Sequence, residues 1–424
     1  MEQRKLDIIR NLLRDNIMPA TGCTEPVAVA LCCAKAKELL GQIPERVELM
    51  LSKNVIKNAM GVGIPGTGMI GLPIAVSLGV VCGESANGLD VLGCAKDNLD
   101  LAKEWMDNHI IEVNPAETTE KLYIECIAYK GNDFSKAIIA KNHTNFIHLQ
   151  KNNEVIKHIE LEEKADNLNN QSLYNELKAI DIFNYATTAP LEEIDWLMES
   201  VRFNKLASEE GLKGDYGLRL GKTLLNDEEL SLRKKVIGRT CAASDARMDG
   251  ATTAVYSNSG SGNQGITCTL PVYEFGIEMG KSQEEILRAL MLSHLMAIHI
   301  KQYIGRLSAL CGIVNASMGA GCGIMLLQGA SFEQIGFHIK NMINDITGMV
   351  CDGAKPSCSL KISTGLNAAF DSTTLAMRNI VVNKTDGIAE KDVDNSIENL
   401  GRIGRYGMDK TDELILSIMT SKRS

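Results

Sequence analysis

Several features that would settle a protein's class at once are scarce or missing. No run of residues approaches the ~20 apolar positions that a membrane-spanning helix needs. The opening stretch, MEQRKLDIIRNLLRDN, is charged and amphipathic, with neither an apolar signal core nor a cleavage site. Both absences point to a cytoplasmic protein with no membrane partner. Positive charge is not in surplus: the net charge is −9 and the pI about 5.5, which argues against a general nucleic-acid or anionic-membrane surface. Aromatic residues make up 4% of the chain against 45% hydrophobic in all, so its helices are expected to pack through small and aliphatic side chains. The glycine-rich stretch NAMGVGIPGTGMIGLPIAVSLG has no Gly-Lys-Ser/Thr after it and is not a phosphate-binding Walker loop. It reads as a tight packing loop or one facing a substrate. No lysine stands in a context that identifies a Schiff-base partner.

What is present in quantity is glycine, 37 residues, and cysteine, 12 residues, in a chain of 424. That length allows two or three domains. In a reducing compartment the cysteines are expected to be mostly free thiols or metal ligands rather than disulfides.

The pattern along the chain changes character. Leu6, Ile9, Leu12 and Leu13 recur at helical spacing, and a second helix is expected over 27–40 after the polar break PATGCTEP. Cys23 sits in that break, where Thr21 or Thr24 could cap the helix and its free N–H groups would favour an anion. Residues 46–57 alternate as a strand does. Residues 95–108 read as a helix, and from 111 to 160 short alternating segments predict a small antiparallel sheet. His143, His148 and His158 fall among its exposed polar positions, not on one metal-binding face, and read as surface histidines. The polar stretch 161–180 reads as a linker, and beyond it the periodicity is helical. Ser282 and Glu285 form a capping box for a long helix delivering the chain to Cys311. His294 and His299 on that helix are splayed apart. Further helices are expected near 332–347, 359–378 and 390–421. The expected fold class is α+β: N-terminal helices over 1–41 packed on a mostly helical domain at 180–424, with a smaller α/β domain at 42–165.

The richest stretch runs from Cys311 to Cys358. Gly353 and Pro356 break any regular helix in CDGAKPSC, so this loop can turn the sulfurs of Cys351 and Cys358 toward one centre. Soft sulfur prefers zinc, copper or iron–sulfur clusters, and buried cysteines acting as small hydrophobes are the alternative.

Taken together, GCTEP at 22–26, GIPGTGMIGLPIA at 63–75, SGSGNQGITCTLP at 259–271, LSALCG at 307–312 and CDGAKPSC at 351–358 resemble the L-cysteine desulfidase family. That family is related to the α region of the iron–sulfur L-serine dehydratases. The resemblance implies a [4Fe–4S] cluster held by Cys311, Cys351 and Cys358, with one iron left open for substrate. Serine dehydratases can fill that iron with a C-terminal cysteine, whereas here no cysteine follows Cys358. The implied reaction converts L-cysteine and water to pyruvate, ammonia and sulfide. Cys23 becomes the candidate base or proton shuttle, its thiol brought near neutrality beside a helix start. Ser259, Ser261, Asn263 and Gln264 become candidates for holding the substrate carboxylate, with a tight structural turn as the other reading. Lys355 is placed to offset cluster charge or contact the substrate, with an exposed loop lysine as the other reading; Cys268 is not counted as a ligand, and Cys322 reads as helix packing. The expected partner is a small amino acid, L-cysteine, with no nucleic acid and with a homodimer left open. A serine dehydratase using the same cluster, and a zinc-binding or metal-sensing module, are the competing readings.

Overall fold

The computed structural model describes residues 2–20, 22–161, 176–305 and 308–421. The expected linker at 161–180 lies largely outside these, as do Thr21 and Leu307. The fold is α+β.

Helix α1 (Gln3–Asn16) buries Ile8, Ile9, Leu12 and Leu13, the stripe its spacing sets. Strand β1 (Pro19–Ala20) follows, then α2 (Thr24–Leu40). The alternation over 46–57 is strand only as far as β2 (Arg46–Leu51); Ser52 then turns the chain into α3 (Lys53–Ala59). The glycine-rich stretch folds as a hairpin of β3 (Gly63–Ile64) and β4 (Met69–Ile70), leading to α4 (Leu72–Val81). Helix α5 (Ala95–Asn108) precedes β5 (Ile110–Pro115), β6 (Tyr123–Lys130), β7 (Asp133–Ala140), β8 (Phe146–Lys151) and β9 (Glu154–His158).

Strands β2 and β5 to β9 form one sheet in the order β5-β2-β6-β7-β8-β9. It is mixed rather than wholly antiparallel, because β5 returns beside β2 in parallel after the α5 crossover. Two of the histidines become cross-strand neighbours. A register shift between Leu149 and Gln150 puts His148 opposite His158, their Nδ1 atoms 3.0 Å apart, so these two do share a face.

Beyond the sheet come α6 (Ala179–Thr188), α7 (Leu197–Lys213), α8 (Leu220–Leu225) and α9 (Leu232–Met248). Strand β10 (Val255–Tyr256) pairs antiparallel with β1 and precedes α10 (Gly262–Glu278). Helix α11 (Gln283–Ile304) has the expected Ser282–Glu285 capping box and ends before Cys311. Helices α12 (Ile313–Leu327), α13 (Phe332–Ile346) and α14 (Cys358–Ala376) follow. The charged tail is interrupted: α15 (Val393–Arg402), a π turn over 403–407, then α16 (Asp409–Ser421).

Two large apolar clusters result. One joins α1 to the helices from α6 onward; the other holds α2 and α4 against β2, β6 and β7. Leu416 of α16 returns to the second cluster. The scarcity of aromatics shows in how closely helices approach: a Cβ on Gly79 of α4 would lie 2.5 Å from the Ala30 carbonyl of α2. Cys82 and Cys94 are joined in a disulfide, while ten cysteines are free. Among the described residues no helix is long and apolar enough to cross a membrane.

Candidate active site

Pairing at the ends of α11 and α13 gathers the first two candidate thiols. Leu310 and Val350 form an isolated antiparallel bridge, flanked by Cys311 N–H donating to the Met349 carbonyl at 2.9 Å and Cys351 N–H donating to that of Ala309 at 2.6 Å. Cys358 is the first residue of α14, reached through Gly353, whose φ of +92° and close approach to the Lys57 carbonyl exclude a side chain. The three sulfurs are electrostatic neighbours. Burial pushes the Cys311 thiol up to about 12, and Cys351 and Cys358 add to the rise. Burial also raises Cys358, with Lys355 and Lys361 opposing.

Cations surround this group. Lys301, on α11, is only 6% exposed. Burial lowers its amine to about 8, and the groups offsetting its charge are the sulfurs of Cys351 and Cys311, not a carboxylate. Lys361 and Lys355 both pair with Asp352. Burial alone would raise that carboxyl, but the two lysines hold it at about 2. Burial works against the Lys361 charge too, yet Asp352 and the Cys311 and Cys351 sulfurs raise it. Lys355 therefore faces Asp352 first.

The donor set suits an iron–sulfur group. Three thiols lie among ammonium groups that thiolates would neutralise, and Cys311 and Cys358 stand at the starts of α12 and α14, where helix dipoles favour anionic sulfur. Among the described residues no three His, Cys, Asp or Glu side chains form a site for a single metal ion. Ligands on a cluster bind separate irons and need not close so tightly.

The break at 20–26 reaches the same place because β1 pairs with β10. Cys23 packs with Val62 and Met248, and Ala354 and Cys358 pack against them. Cys23 is the residue preceding α2, where neither it nor Thr24 supplies a side-chain cap. Its thiol donates to Glu25 Oε2 at 3.0 Å, and Asn58 Nδ2 donates to Glu25 Oε1 at 3.0 Å. Burial and then the Glu25 charge push Cys23 well above the ordinary thiol range, with Arg247 opposing. This is the reverse of the near-neutral thiol expected from the helix start. Beneath it the glycine-rich hairpin is packed, since a Cβ on Gly63 would collide with the Asp249–Gly250 peptide.

The polar loop divides its residues. Asn258 and Ser261 exchange both backbone hydrogen bonds at 3.0 Å around Ser259 (φ +51°) and Gly260 (φ +77°), a two-residue turn with both centres left-handed. Ser259 N–H donates to Asn16 O, and its hydroxyl donates to Asn258 Oδ1 at 2.9 Å. Ser261 caps α10. These two serines are thus engaged in the turn. Asn263 and Gln264 face inward: Asn263 Oδ1 accepts from Arg247 Nη1 at 3.3 Å, and Gln264 Oε1 accepts from Asn315 Nδ2 at 2.8 Å. A Cβ on Gly312 would lie 2.5 Å from Gln264 Nε2, so Gln264 reaches the residue next to Cys311.

Cys268 and Cys322 are fully buried among helices. His294 bonds Asn258 and Thr269, whereas His299 faces Asp394, so the two point to different neighbours. Arg247, Lys301, Lys361 and Glu25 belong to the site but escaped the sequence reading. Only Glu25, inside GCTEP, lay in a motif singled out for its chemistry. A cleft of about 500 Å³ lined by Arg10, Arg14, Tyr185, Glu193 and Trp196 shares no residue with this group.

The profile of the serine dehydratase alpha chain family matches residues 114–417. A UPF0597 protein of Phocaeicola vulgatus is 50% identical over 97% of both chains, and one of Bacteroides fragilis is 49% identical over 97% of both. A Clostridium perfringens UPF0597 protein is 42% identical, again over 97% of both. The family match is to the serine dehydratase alpha chain and does not single out L-cysteine desulfidase.

Proposed function

Because the chain belongs to the serine dehydratase alpha chain family, we propose that it is an iron–sulfur lyase converting L-cysteine and water to pyruvate, ammonia and sulfide without net redox change. The observation that supports this most is the grouping of Cys311, Cys351 and Cys358 among Lys301, Lys355 and Lys361, with Cys23 packed on the Cys358 side. A [4Fe–4S] cluster on the three thiols would supply Lewis acidity, making the substrate's sulfur a better leaving group.

The chain's own residues handle the proton. Burial keeps the Cys23 thiol protonated, so in this reading it acts as a relay rather than a resting base. The Cα proton passes to its sulfur as its own hydrogen passes to Glu25 Oε2, 3.0 Å away. Loss of sulfide from Cβ leaves aminoacrylate, which tautomerises and hydrolyses to pyruvate and ammonia. Val62 and Met248, both fully buried, exclude water from the Cys23 side.

L-Serine is the second reading, favoured by the family description. Anaerobic turnover after reconstitution separates the two. Sulfide and pyruvate in equal amounts, with kcat/KM higher for L-cysteine than for L-serine, is the expected result. A reversed preference assigns a serine dehydratase, and turnover of neither removes the lyase reading.

A further inference from the structure

The buried guanidinium of Arg247 has no role in the proton relay, and its environment is unusual. It sits in the last turn of α9 and is 7% exposed. Among the described residues no carboxylate forms an ion pair with it; Glu25 is occupied by Cys23, Thr24 and Asn58. Arginine carries five N–H donors and stays charged in proteins. Nη2 donates to the Gly22 carbonyl at 2.9 Å, and Nη1 to Asn263 Oδ1 at 3.3 Å and, weakly, to the Met248 sulfur at 3.9 Å. Nε is buried without any partner. Its N–H, with the second N–H of Nη2, is left unspent. A buried donor without an acceptor is costly, and an arginine edge with two parallel N–H groups matches a carboxylate.

The start of α10 packs beside the guanidinium. A Cβ on Gly262, the helix's first residue, would collide with Arg247 Nε and Cζ, so only glycine lets the guanidinium lie there. The N–H groups of Gly262 and Asn263 find no carbonyl four residues back, as at any helix start, and the dipole there favours an anion. The groups facing Arg247 electrostatically are Cys23, Glu25 and Cys358, which places it between the proton relay and one of the candidate cluster ligands.

We propose that Arg247, outside the loop at 259–264 for which the resemblance implies this role, is the charged group that recognises the substrate carboxylate and so selects substrates with a free carboxyl group. The inference rests on the lyase reading and adds the group that selects the substrate class. Asn263 orients the guanidinium, and Ser261 acts by holding the helix start. The carboxylate anchors one side of Cα while Cβ and its leaving group point toward the three thiols.

The test is a binding comparison that needs no turnover. Reconstituted wild type, Arg247→Lys and Arg247→Gln are titrated anaerobically by calorimetry with L-cysteine, L-serine and the corresponding amino-acid amides. Within each variant the ratio of acid to amide affinity cancels the folded fraction, so partial misfolding does not obscure the result. Wild type is expected to prefer the acid by roughly 30- to 100-fold, the size of a lost charge-assisted pair. Arg247→Gln should bring the ratio close to one, and Arg247→Lys should keep part of it. An undiminished preference in Arg247→Gln would overturn the assignment while leaving the lyase reading intact. Failure of wild type to bind either amino acid would sink both.

Discussion

Leu310 and Val350 pair across an antiparallel bridge, and that single contact sets Cys311 beside Cys351. Each cysteine amide is tied to a carbonyl on the opposite segment, and Cys311 packs in an apolar cluster that Cys351 adjoins, so backbone pairing and side-chain packing together hold the two residues side by side. Cys358 joins them from the start of α14. Three positions dispersed in sequence thereby become one group.

Cys23 is expected to serve chemistry and not ligation. Cys23→Ala should retain iron and its visible absorbance while slowing sulfide release by roughly 10²- to 10⁴-fold, the usual worth of a positioned proton-transfer group. Iron analysis beside the sulfide assay decides. Loss of iron along with activity would make Cys23 a fourth ligand, and unchanged activity would leave it without a catalytic part.

Glycine at 63 is required by contact. A methyl there meets backbone of Asp249 and Gly250, so Gly63→Ala should cost about 1–3 kcal/mol of overpacking. Gly68→Ala meets nothing within 4 Å and bears only the strain of its left-handed φ of +65°, about 1 kcal/mol. Urea midpoints should rank Gly63→Ala as the less stable; the opposite order would mean that the hairpin does not pack on the α9 terminus.

Acid should weaken the fold through buried neutral histidines. His338 accepts or donates only to Ser372 Oγ at 2.9 Å and the Met318 carbonyl at 3.1 Å, and burial lowers it to about 4. Burial lowers His294 to about 3. The unfolded chain takes up these protons near pH 6.5. Between that value and the folded ones the unfolded state binds more protons. Stability is therefore fully present above about pH 6.5 and is lost as pH falls, by up to about 1.4 kcal/mol per pH unit for each histidine. Denaturation curves at pH 7 and pH 5 should show a smaller drop for His338→Gln than for wild type. An equal drop would assign the acid sensitivity to other groups.

Much of this architecture could be read in advance because it depends on periodicity and end signals. The stripe of α1, the Ser282–Glu285 box and the helix around 332–347 are local, and local pattern decided them. The alternation over 46–57 misled because Ser52 can end a strand and begin α3 without changing the apolar rhythm. The His148–His158 pairing was hidden because a register shift, which pattern does not reveal, moved two residues into opposition. In the site, cysteines announce themselves by chemistry, but Arg247 and Lys301 do not. Their meaning lies in burial without a carboxylate ion pair among the described residues, a property of tertiary contact alone. The near-neutral thiol expected for Cys23 failed for the same reason: a helix start favours the thiolate, but burial beside Glu25 outweighs it.

What Cys311, Cys351 and Cys358 hold decides most directly whether this chain is an iron–sulfur lyase. Wild type and the three single Cys→Ser variants should be reconstituted anaerobically with iron and sulfide, with Cys32→Ser and Cys126→Ser as buried controls, and assayed for iron, zinc and acid-labile sulfide. Iron with matching labile sulfide is expected in wild type and both controls, and loss of most of both in each of the three ligand variants. Zinc without labile sulfide in wild type, or iron–sulfur content unaffected by the ligand variants, would contradict the iron–sulfur reading.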